Sequence, residues 1–413
     1  MKTRNSLYLN NNRGGLADLA RIFTRSRLGR TRRHSGLRLV AGAATAAFLV
    51  TACSGGASDG ESGGQTGTSG DALIAAQAAQ VEVSKVLRNP SGILLDAPLS
   101  RTPPTGKMIA VVDSPTGTGH VKNQGIVDGA RALGWQAEVI PVGTGAEDAA
   151  AAFDKGLDMH PDAVVFAGTP VALLSKQLAR AKALNIPVLA DSITDPIQPG
   201  LISTSLDGAP QVAEYGRLAG TYVAATSRGK AHVALFTISA FPVLTVFANS
   251  FKQALVSACP ACKIVVVNQQ VRDLGTRTPQ SVVETIKRDP DIDWAIFSIG
   301  DLTIGVPDAL RAAGLQGKVK IGGETPTTAN IEALRAGTEE VWTGFAATIL
   351  GWRDADLLAR YFNGDDLDRA NRTLLPTQLI TRDTVDAAAL DSTGYYVGFP
   401  GYVDAFRQLW KVG

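Results

Sequence analysis

The sequence predicts an α/β protein made of two similar lobes, each built on a parallel sheet. Short apolar runs alternate with stretches of helical period from residue 107 onward, and the same alternation starts again after Asp207. Runs that are apolar on both faces and separated by helices are typical of parallel sheets that helices cover on both sides. Roughly 300 residues are available, enough for two domains with their own cores. Because such sheets bind ligands beyond the carboxyl ends of their strands, we expect a cleft between the lobes.

The individual elements follow from these apolar runs. In the first lobe, helical period marks residues 121–133 and 171–184, and the predicted strands cover residues 108–112, 137–142, 163–167, 187–190 and 201–204. In the second lobe, the predicted strands cover residues 231–237, 264–267, 294–298, 319–322 and 341–344. The architecture repeats, whereas the sequence shows no strong repeat.

The N-terminal region has the composition of an export signal. Twelve apolar or small residues at 39–50 follow a basic segment; they suffice for the core of a signal peptide and are too few to span a bilayer. Residues 1–38 contain ten of the 40 Lys and Arg and one of the 38 Asp and Glu, which leaves 30 basic and 37 acidic residues and a net charge of −7. Because the basic residues are concentrated in this leader, nucleic-acid binding is not expected. Thr31-Arg32-Arg33 weakly resembles a twin-arginine signal, and a start codon placed too early would also explain the unusual length.

The segment Leu49-Val50-Thr51-Ala52-Cys53 resembles the lipobox of bacterial lipoproteins. The resemblance implies cleavage after residue 52 and lipidation of Cys53, whose several acyl chains would anchor the protein outside the cytoplasm. An ordinary signal peptide with a chance cysteine is the alternative. Residues 53–105 are then a tether and connector: 54–70 are Gly/Ser-rich and expected to be flexible, and 71–105 to form a short helix and an extended segment.

An ordered series of segments carries a resemblance to a known family. Gly125-Ile-Val-Asp-Gly-Ala-Arg-Ala-Leu-Gly-Trp135 and Ala183-Leu-Asn-Ile-Pro-Val-Leu-Ala-Asp191 belong to it, as do the segments 107–113, 229–235, 251–255, 291–297 and 309–314. Together they resemble the type I periplasmic-binding proteins, the ribose/galactose-binding group that serves ABC sugar importers. The resemblance covers about residues 107–379.

This resemblance implies two Rossmann-like lobes joined by a three-stranded hinge. The crossings would lie near residues 206–207, near 345–346 and near 380. The first lobe would then contain residues 106–206 and 346–379, and the second residues 207–345 and 380–413. Hinge closure in such an arrangement sequesters a small ligand between the lobes.

The resemblance also implies a set of ligand contacts, most of them polar groups at the ends of strands. They are Ser114, Thr116, Thr118, Asp191, Ser192, Asp301, Glu324 and Phe345. Hydroxyls can donate and accept hydrogen bonds, and carboxylates bind adjacent sugar hydroxyls strongly. Helix capping is the alternative for Asp191 and Asp301. A plain glycine-rich turn is the alternative for the loop 113–120, which lacks the Gly-Lys-Ser/Thr of a phosphate loop.

Two departures from the family pattern bear on the ligand. The arginine of the family falls near Thr245, and its glutamine at the second crossing falls on Phe345 or Ala346. Losing an arginine and an amide removes forked donors, so we do not expect a common pentose. A less polar, larger or differently hydroxylated ligand is expected instead. Phe241, Phe247 and Phe345 would stack on its ring, or alternatively belong to the core.

The cysteine and histidine patterns argue against an enzyme. Cys259 and Cys262 form the remaining thiol pair, and a structural disulfide is expected outside the cytoplasm. A redox-active pair would begin a helix after a strand, whereas this pair follows a helix. Zinc would need two further ligands, and none lie nearby in sequence, so no metal is expected. The four histidines are scattered, and no nucleophile motif is present.

We therefore expect a lipid-anchored, extracytoplasmic solute-binding protein. It would bind a small ligand, a carbohydrate or related polyol, and deliver it to ABC permease subunits as a monomer, without a cofactor. A binding protein that presents its ligand to a membrane receptor is one alternative. An extracytoplasmic thiol-redox or hydrolytic enzyme is the other.

Overall fold

The computed structural model describes residues 67–413 with the exception of residue 146. The predicted signal peptide, Cys53 and the first part of the predicted tether lie outside the described residues. Within that part of the chain, no helix combines the length and the apolar character needed to cross a membrane.

Strands and helices alternate along most of the described chain. The strands are β1 (Met108–Val112), β2 (Gln136–Ile140), β3 (Ala163–Ala167), β4 (Val188–Asp191), β5 (His232–Thr237), β6 (Lys263–Asn268), β7 (Trp294–Phe297), β8 (Lys320–Glu324), β9 (Val341–Phe345) and β10 (Thr377–Thr381). The α-helices are α1 (Gly67–Lys85), α2 (Gly117–Ala132), α3 (Asp148–Asp158), α4 (Ser175–Ala183), α5 (Ala209–Thr226), α6 (Pro242–Ala258), α7 (Arg277–Arg288), α8 (Val306–Ala312), α9 (Thr328–Arg335), α10 (Ala347–Asn363), α11 (Asp368–Arg372) and α12 (Tyr402–Trp410).

The first sheet is parallel throughout and has the order β2-β1-β3-β4. Alternate residues of its central strands enter different cores. Ile109 and Val111 pack with α2, whereas Ala110 and Val112 pack with Phe153 of α3. Because successive side chains of a strand point to opposite faces, both faces of this sheet are covered, as the apolar runs predict.

The second sheet has six strands in the order β10-β9-β8-β7-β5-β6. Its strands run parallel except for β10, which pairs antiparallel with β9 and places Leu379 opposite Thr343. The sequence analysis did not predict β10 and assigned residues 377–379 to the first lobe. The ladder with β9 places them in the sheet of the second lobe instead.

Nine of the ten predicted strands overlap strands of the structure. The exception is 201–204, which makes a single bridge from Leu201 to Val188. Its backbone still follows β4, since Ile202 N donates to Val188 O at 2.7 Å and Ala190 N donates to Ser203 O at 3.0 Å. The segment is therefore an irregular extension of the sheet edge and not a strand.

The chain crosses between the two sheets at more places than predicted. The crossings after β4 and after β9 lie near the predicted positions, and the third lies at 373–376, before β10. The connector 86–102 also joins the lobes: Leu379 N of β10 donates to Val86 O at 2.8 Å, and Arg360 Nη2 of α10 donates to Ala97 O at 2.7 Å. The connector is thus packed against both lobes.

The C-terminal tail forms a further link. Tyr396 packs against Gly344 of the second sheet. Farther along, Trp410 of α12 stacks on Trp352 of α10, with ring centroids 5.3 Å apart and an interplanar angle of 4°. Trp410 Nε1 also donates to Asp356 Oδ1 at 2.9 Å. The sequence analysis placed the whole tail on the second lobe, whereas α12 packs on a helix of the first.

Close packing of α10 on α2 fixes the first lobe. A Cβ atom on Gly125 of α2 would lie 2.5 Å from the carbonyl oxygen of Thr348 in α10. No side chain fits at that distance, so a glycine is needed for the two backbones to meet. This contact holds α10, the helix that follows the second crossing, against α2 of the first lobe.

The two cysteines of the second lobe form a disulfide in the structure. Cys259 and Cys262 join the end of α6 to the start of β6, with their Cα atoms 5.4 Å apart. Both residues are buried, and Cys262 Sγ accepts a hydrogen bond from Ala231 N at 3.0 Å. The disulfide therefore closes the turn between α6 and β6.

Candidate functional site

A cavity lies between the two sheets at the carboxyl ends of their strands. It contains about 680 Å³ of empty space, part of it open to solvent. Seven of the eight predicted ligand contacts line it, namely Ser114, Thr116, Thr118, Asp191, Ser192, Glu324 and Phe345. The structure therefore brings together residues that lie more than 200 positions apart in sequence.

Asp301, the eighth predicted contact, has a different place. Its Oδ1 accepts from Gly117 N at 2.7 Å, and its Oδ2 accepts from Thr118 Oγ1 at 2.6 Å. Because Asp301 follows β7 of the second lobe and Gly117 begins α2 of the first, these bonds join the lobes directly. The sequence predicts that Asp301 contacts the ligand or caps a helix, whereas in the structure its carboxylate joins the two lobes.

The loop after β1 is held in shape by its own side chains. Asp113 Oδ1 accepts from Ser114 N at 2.8 Å and from Asn123 Nδ2 at 2.7 Å, and it contacts His120 Nδ1 at 2.9 Å. Thr116 caps α2 by accepting from the N–H of residue 119 at 3.2 Å. These bonds orient the hydroxyls of Ser114 and Thr116 at the cavity wall.

A buried ion pair forms the floor of the cavity. Lys122 Nζ of α2 donates to Asp191 Oδ2 at the end of β4, at 2.8 Å, and their side chains are 3% and 1% exposed. Burial alone would lower the pKa of Lys122, but the charge of Asp191 and the hydrogen bond to its carboxylate, with contributions from neighbouring acidic groups, outweigh it, so the pKa lies above its ordinary value. Lys122 is therefore charged at neutral pH.

Sequence reasoning missed Lys122, although a signal was present. Thr118, Lys122, Ile126 and Gly129 recur at helical spacing and form one buried stripe of α2. A lysine in the middle of such a stripe requires an anionic partner, because burying an unpaired charge is costly.

Asp354 of α10 lies on the far side of this pair. Burial raises its pKa well above the usual range, and the negative charge of Asp191 adds to the shift. Burial therefore favours the protonated form of Asp354. The carboxylate that contacts the Lys122 ammonium is that of Asp191.

A chain of hydrogen bonds extends from the ion pair to Asp207. Ser192 Oγ lies 2.9 Å from Asp191 Oδ1 and 2.8 Å from Asp207 Oδ2. Burial raises the pKa of Asp207 to about 8. Because one hydroxyl has one proton, we assign the Ser192 proton to Asp191 and a proton on Asp207 Oδ2 to the Ser192 oxygen.

Glu324, at the end of β8, is a second buried carboxyl in the cavity wall. It is 2% exposed, and its Oε2 has no hydrogen-bond partner among residues 67–413. Burial raises its pKa well above the usual range, and Asp207 adds to the shift. Burial therefore favours the protonated, neutral form of Glu324.

Apolar side chains complete the cavity. Phe345 lines it and packs edge-on against Tyr215, with ring centroids 6.3 Å apart. Phe241 also lines the cavity. Phe247 is fully buried beside Phe251, so it belongs to the core, the second of the two possibilities that the sequence left open.

One other cluster could hold a metal by geometry. Ligand atoms of His232, Asp289 and Asp291 lie within 4.8 Å of one another. His232 begins β5, so the cluster lies at the amino edge of the second sheet, opposite the cavity. His232 Nε2 lies 3.2 Å from Asp289 Oδ2, a distance at which the two side chains contact each other directly.

The fold agrees with that of a known protein family. A family model described as "Periplasmic binding protein domain" matches residues 109–366, more than half of the chain. The chain belongs to the periplasmic-binding protein family. The resemblance to the type I group is thereby confirmed, and that family consists of extracytoplasmic substrate-binding proteins and not of enzymes.

Solved structures share the fold of this periplasmic-binding protein. An ABC sugar transporter subunit from Rhodobacter sphaeroides 2.4.1 is 17% identical, with a TM-score of 0.59, over 68% of this chain and 99% of that one. A sugar ABC transporter protein from Yersinia enterocolitica subsp. enterocolitica 8081 is 16% identical, with a TM-score of 0.63, over 76% and 97%. A solute binding protein from Agrobacterium vitis with bound allitol is 15% identical, with a TM-score of 0.60, over 68% and 98%. Comparison with curated proteins gives no match.

Replacing Lys122 tests the buried ion pair of this periplasmic-binding protein. Lys122→Met leaves the Asp191 carboxylate buried without its cation, so we expect a loss of about 3–5 kcal/mol in the free energy of unfolding, measured by urea denaturation at pH 7. Adding Asp191→Asn should restore part of the loss. In the matched control, Lys85→Met breaks the exposed Lys85–Glu82 pair and should cost below about 1 kcal/mol. Equal losses in the two lysine variants would contradict the assignment.

The pH dependence of stability tests the raised pKa of Asp207. Its pKa of about 8 in the folded chain lies above the unfolded value near 3.8, so the folded state binds more protons between these values. Stability is therefore lost as pH rises through this window, by up to about 1.4 kcal/mol per pH unit. Asp207→Asn, whose amide can still donate to Ser192, should flatten the profile between pH 5 and 7.5. The exposed control Asp404→Asn should not, and parallel profiles for both variants would refute the shift.

Proposed function

We propose that this periplasmic-binding protein captures a carbohydrate or related polyol between its lobes and delivers it unaltered to an ABC permease. In this proposal lipid on Cys53 tethers the protein outside the cytoplasm. The ligand contacts are Ser114, Thr116, Thr118, Asp191, Ser192, Glu324 and Phe345. The observation that carries the proposal is the convergence of these hydroxyl and carboxyl groups from both lobes on one cavity.

The chemistry of the cavity suits binding without reaction. Its lining contains neither histidine nor cysteine. The Ser192 hydroxyl donates toward the Asp191 carboxylate, which Lys122 neutralises. A carboxylate paired in this way is a weak base, so Ser192 is not activated as a nucleophile.

Hydroxyls, buried carboxyls and aromatic rings are the groups that carbohydrate ligands need. Hydroxyl and carboxyl groups match the donors and acceptors of a sugar, and Phe345 and Phe241 offer apolar surface for the C–H face of a ring. The names of the similar solved structures, among them complexes with allitol and with 5-methylthioribose, support the same class of ligand.

Capture would proceed by movement of the lobes about the crossings. The Asp301 bonds to Gly117 and Thr118 join the lobes at the rim of the cavity. Opening must break these bonds, and closure over a ligand restores them. Asp301 would thus act on binding by stabilising the closed arrangement and not by contacting the ligand.

A thermal-shift panel of neutral sugars, amino sugars and polyols tests this function. We expect at least one compound to stabilise the mature chain, by about 2.7 kcal/mol at a hundredfold excess over its dissociation constant. Phe345→Leu removes the ring at the cavity and should weaken that effect. In the matched control, Phe362→Leu alters a ring that packs on Trp135, outside the cavity, and should leave it unchanged. A panel in which no compound raises the melting temperature would contradict the proposal.

A further inference from the structure

The cavity has more acidic groups than cationic ones. Asp191, Asp207 and Glu324 line it, and Asp354 lies behind them, whereas Lys122 is the one lysine or arginine of its lining. Lys122 is occupied by Asp191 at 2.8 Å. A ligand anion would therefore meet several carboxyl groups and no free cation, which disfavours acidic ligands.

Three of these carboxyl groups keep at least one oxygen without a hydrogen-bond partner within the described part of the chain: Asp207 Oδ1, Glu324 Oε2 and both oxygens of Asp354. Of these three residues, Asp207 and Glu324 line the cavity, and they are 9% and 2% exposed. Buried oxygens of this kind are costly unless a bound molecule supplies a donor.

Asp207 and Glu324 line the same cavity, each with an unpartnered oxygen. They also act on each other electrostatically: the charge of Asp207 raises the pKa of Glu324, and both charges raise the pKa of the buried Tyr215 hydroxyl. Asp207 lies at the first crossing and Glu324 ends β8, so they approach the cavity from different elements. A single group placed between them would satisfy both.

We infer that the ligand carries a basic nitrogen, as in an amino sugar or an aminopolyol, and that its ammonium group binds between Asp207 Oδ1 and Glu324 Oε2. This inference rests on the proposed function, of which it names the ligand class. An ammonium has three donors and makes charge-assisted bonds, which are stronger than those of a neutral hydroxyl. The cavity lining also contains the rings of Phe241 and Phe345, whose faces can attract a cation.

A bare metal ion fits the site less well. Calcium takes six to eight oxygen ligands, and magnesium keeps a near-octahedral shell of oxygens. The cavity lining offers two unpartnered carboxyl oxygens, and it also includes apolar residues such as Phe345, Leu350 and Val212. An organic cation with an apolar body matches this mixture of acidic and apolar groups.

Binding of an ammonium would displace a proton. Asp207 faces Ser192 and Asp191 of the first lobe, Lys122 of α2, and Glu324 and Tyr215 of the second lobe. With a pKa of about 8 it is protonated at pH 7 in the free protein. The ligand arrives with its own proton, the Asp207 proton passes to the buffer, and no bond of the ligand changes. A neutral sugar leaves the Asp207 proton in place.

Isothermal titration calorimetry of the mature chain tests the inference with matched probes. Glucosamine, galactosamine and mannosamine are each compared at pH 7 with the parent sugar and with the N-acetyl derivative. We expect at least one amine to bind tenfold or more tightly than both of its neutral counterparts. Measured in two buffers of different ionisation enthalpy, its binding should release up to one proton per ligand.

Variants that keep shape and remove charge provide the second measurement. Asp207→Asn and Glu324→Gln should each weaken binding of the amine by tenfold or more, and Asp207→Asn should lower the number of protons released. Circular dichroism and thermal unfolding establish that both variants are folded. Thr338→Ala, at an exposed residue far from the cavity, serves as the control and should bind like the parent chain.

The outcomes separate this inference from the function on which it rests. Neutral sugars that bind as tightly as the amines, without proton release, would overturn the inference and leave the proposed function standing. Equal affinity of the amine for the parent chain and both variants would also overturn it. Binding by no compound of either kind would overturn the inference and count against carbohydrate binding itself.

Discussion

A single buried lysine determines the chemistry of this periplasmic-binding protein. Lys122 is held at the cavity floor because α2 packs so closely on α10 that a glycine is required where they meet. Its one charge neutralises Asp191, and the bond from Ser192 connects that pair to Asp207. The remaining carboxyl groups must then stay protonated or find a cation elsewhere. Burial, charge and hydrogen bonding thus lead to the same result, a cavity lined by three acidic residues and a single, already paired lysine.

The links between the lobes place a second constraint on function. Besides the three chain crossings, the connector 86–102 and the tail before α12 bridge the two lobes. The tail ends in the stacked pair of Trp352 and Trp410, which attaches it to the first lobe. Each additional link limits how far the lobes separate. Ligand entry in this chain therefore involves a smaller opening than three flexible crossings alone would permit.

Much of the fold follows from local sequence pattern, and the unpredicted parts depend on distant contacts. Central strands such as β1 and β3 are apolar on both faces, so the sequence predicts their positions within a few residues. In contrast, β10 is an edge strand defined by its ladder with β9, and the place of α12 depends on Trp352, far away in the chain.

The candidate site shows the same division between local pattern and distant contacts. Strand-end residues such as Asp191 were predicted because parallel sheets place them at one edge. Lys122 and Asp207 were not, since their roles arise only from the burial and charge of partners on other elements.

A crystal structure of the protein with the amino sugar that it binds most tightly shows directly whether Asp207 and Glu324 together receive a cationic group of the ligand. We expect the ligand nitrogen in the cavity between the lobes, about 2.7–2.9 Å from Asp207 Oδ1 and Glu324 Oε2. A ligand that lies outside this cavity would refute this arrangement. So would one that directs its nitrogen to solvent and places neutral hydroxyls against the two carboxyl groups.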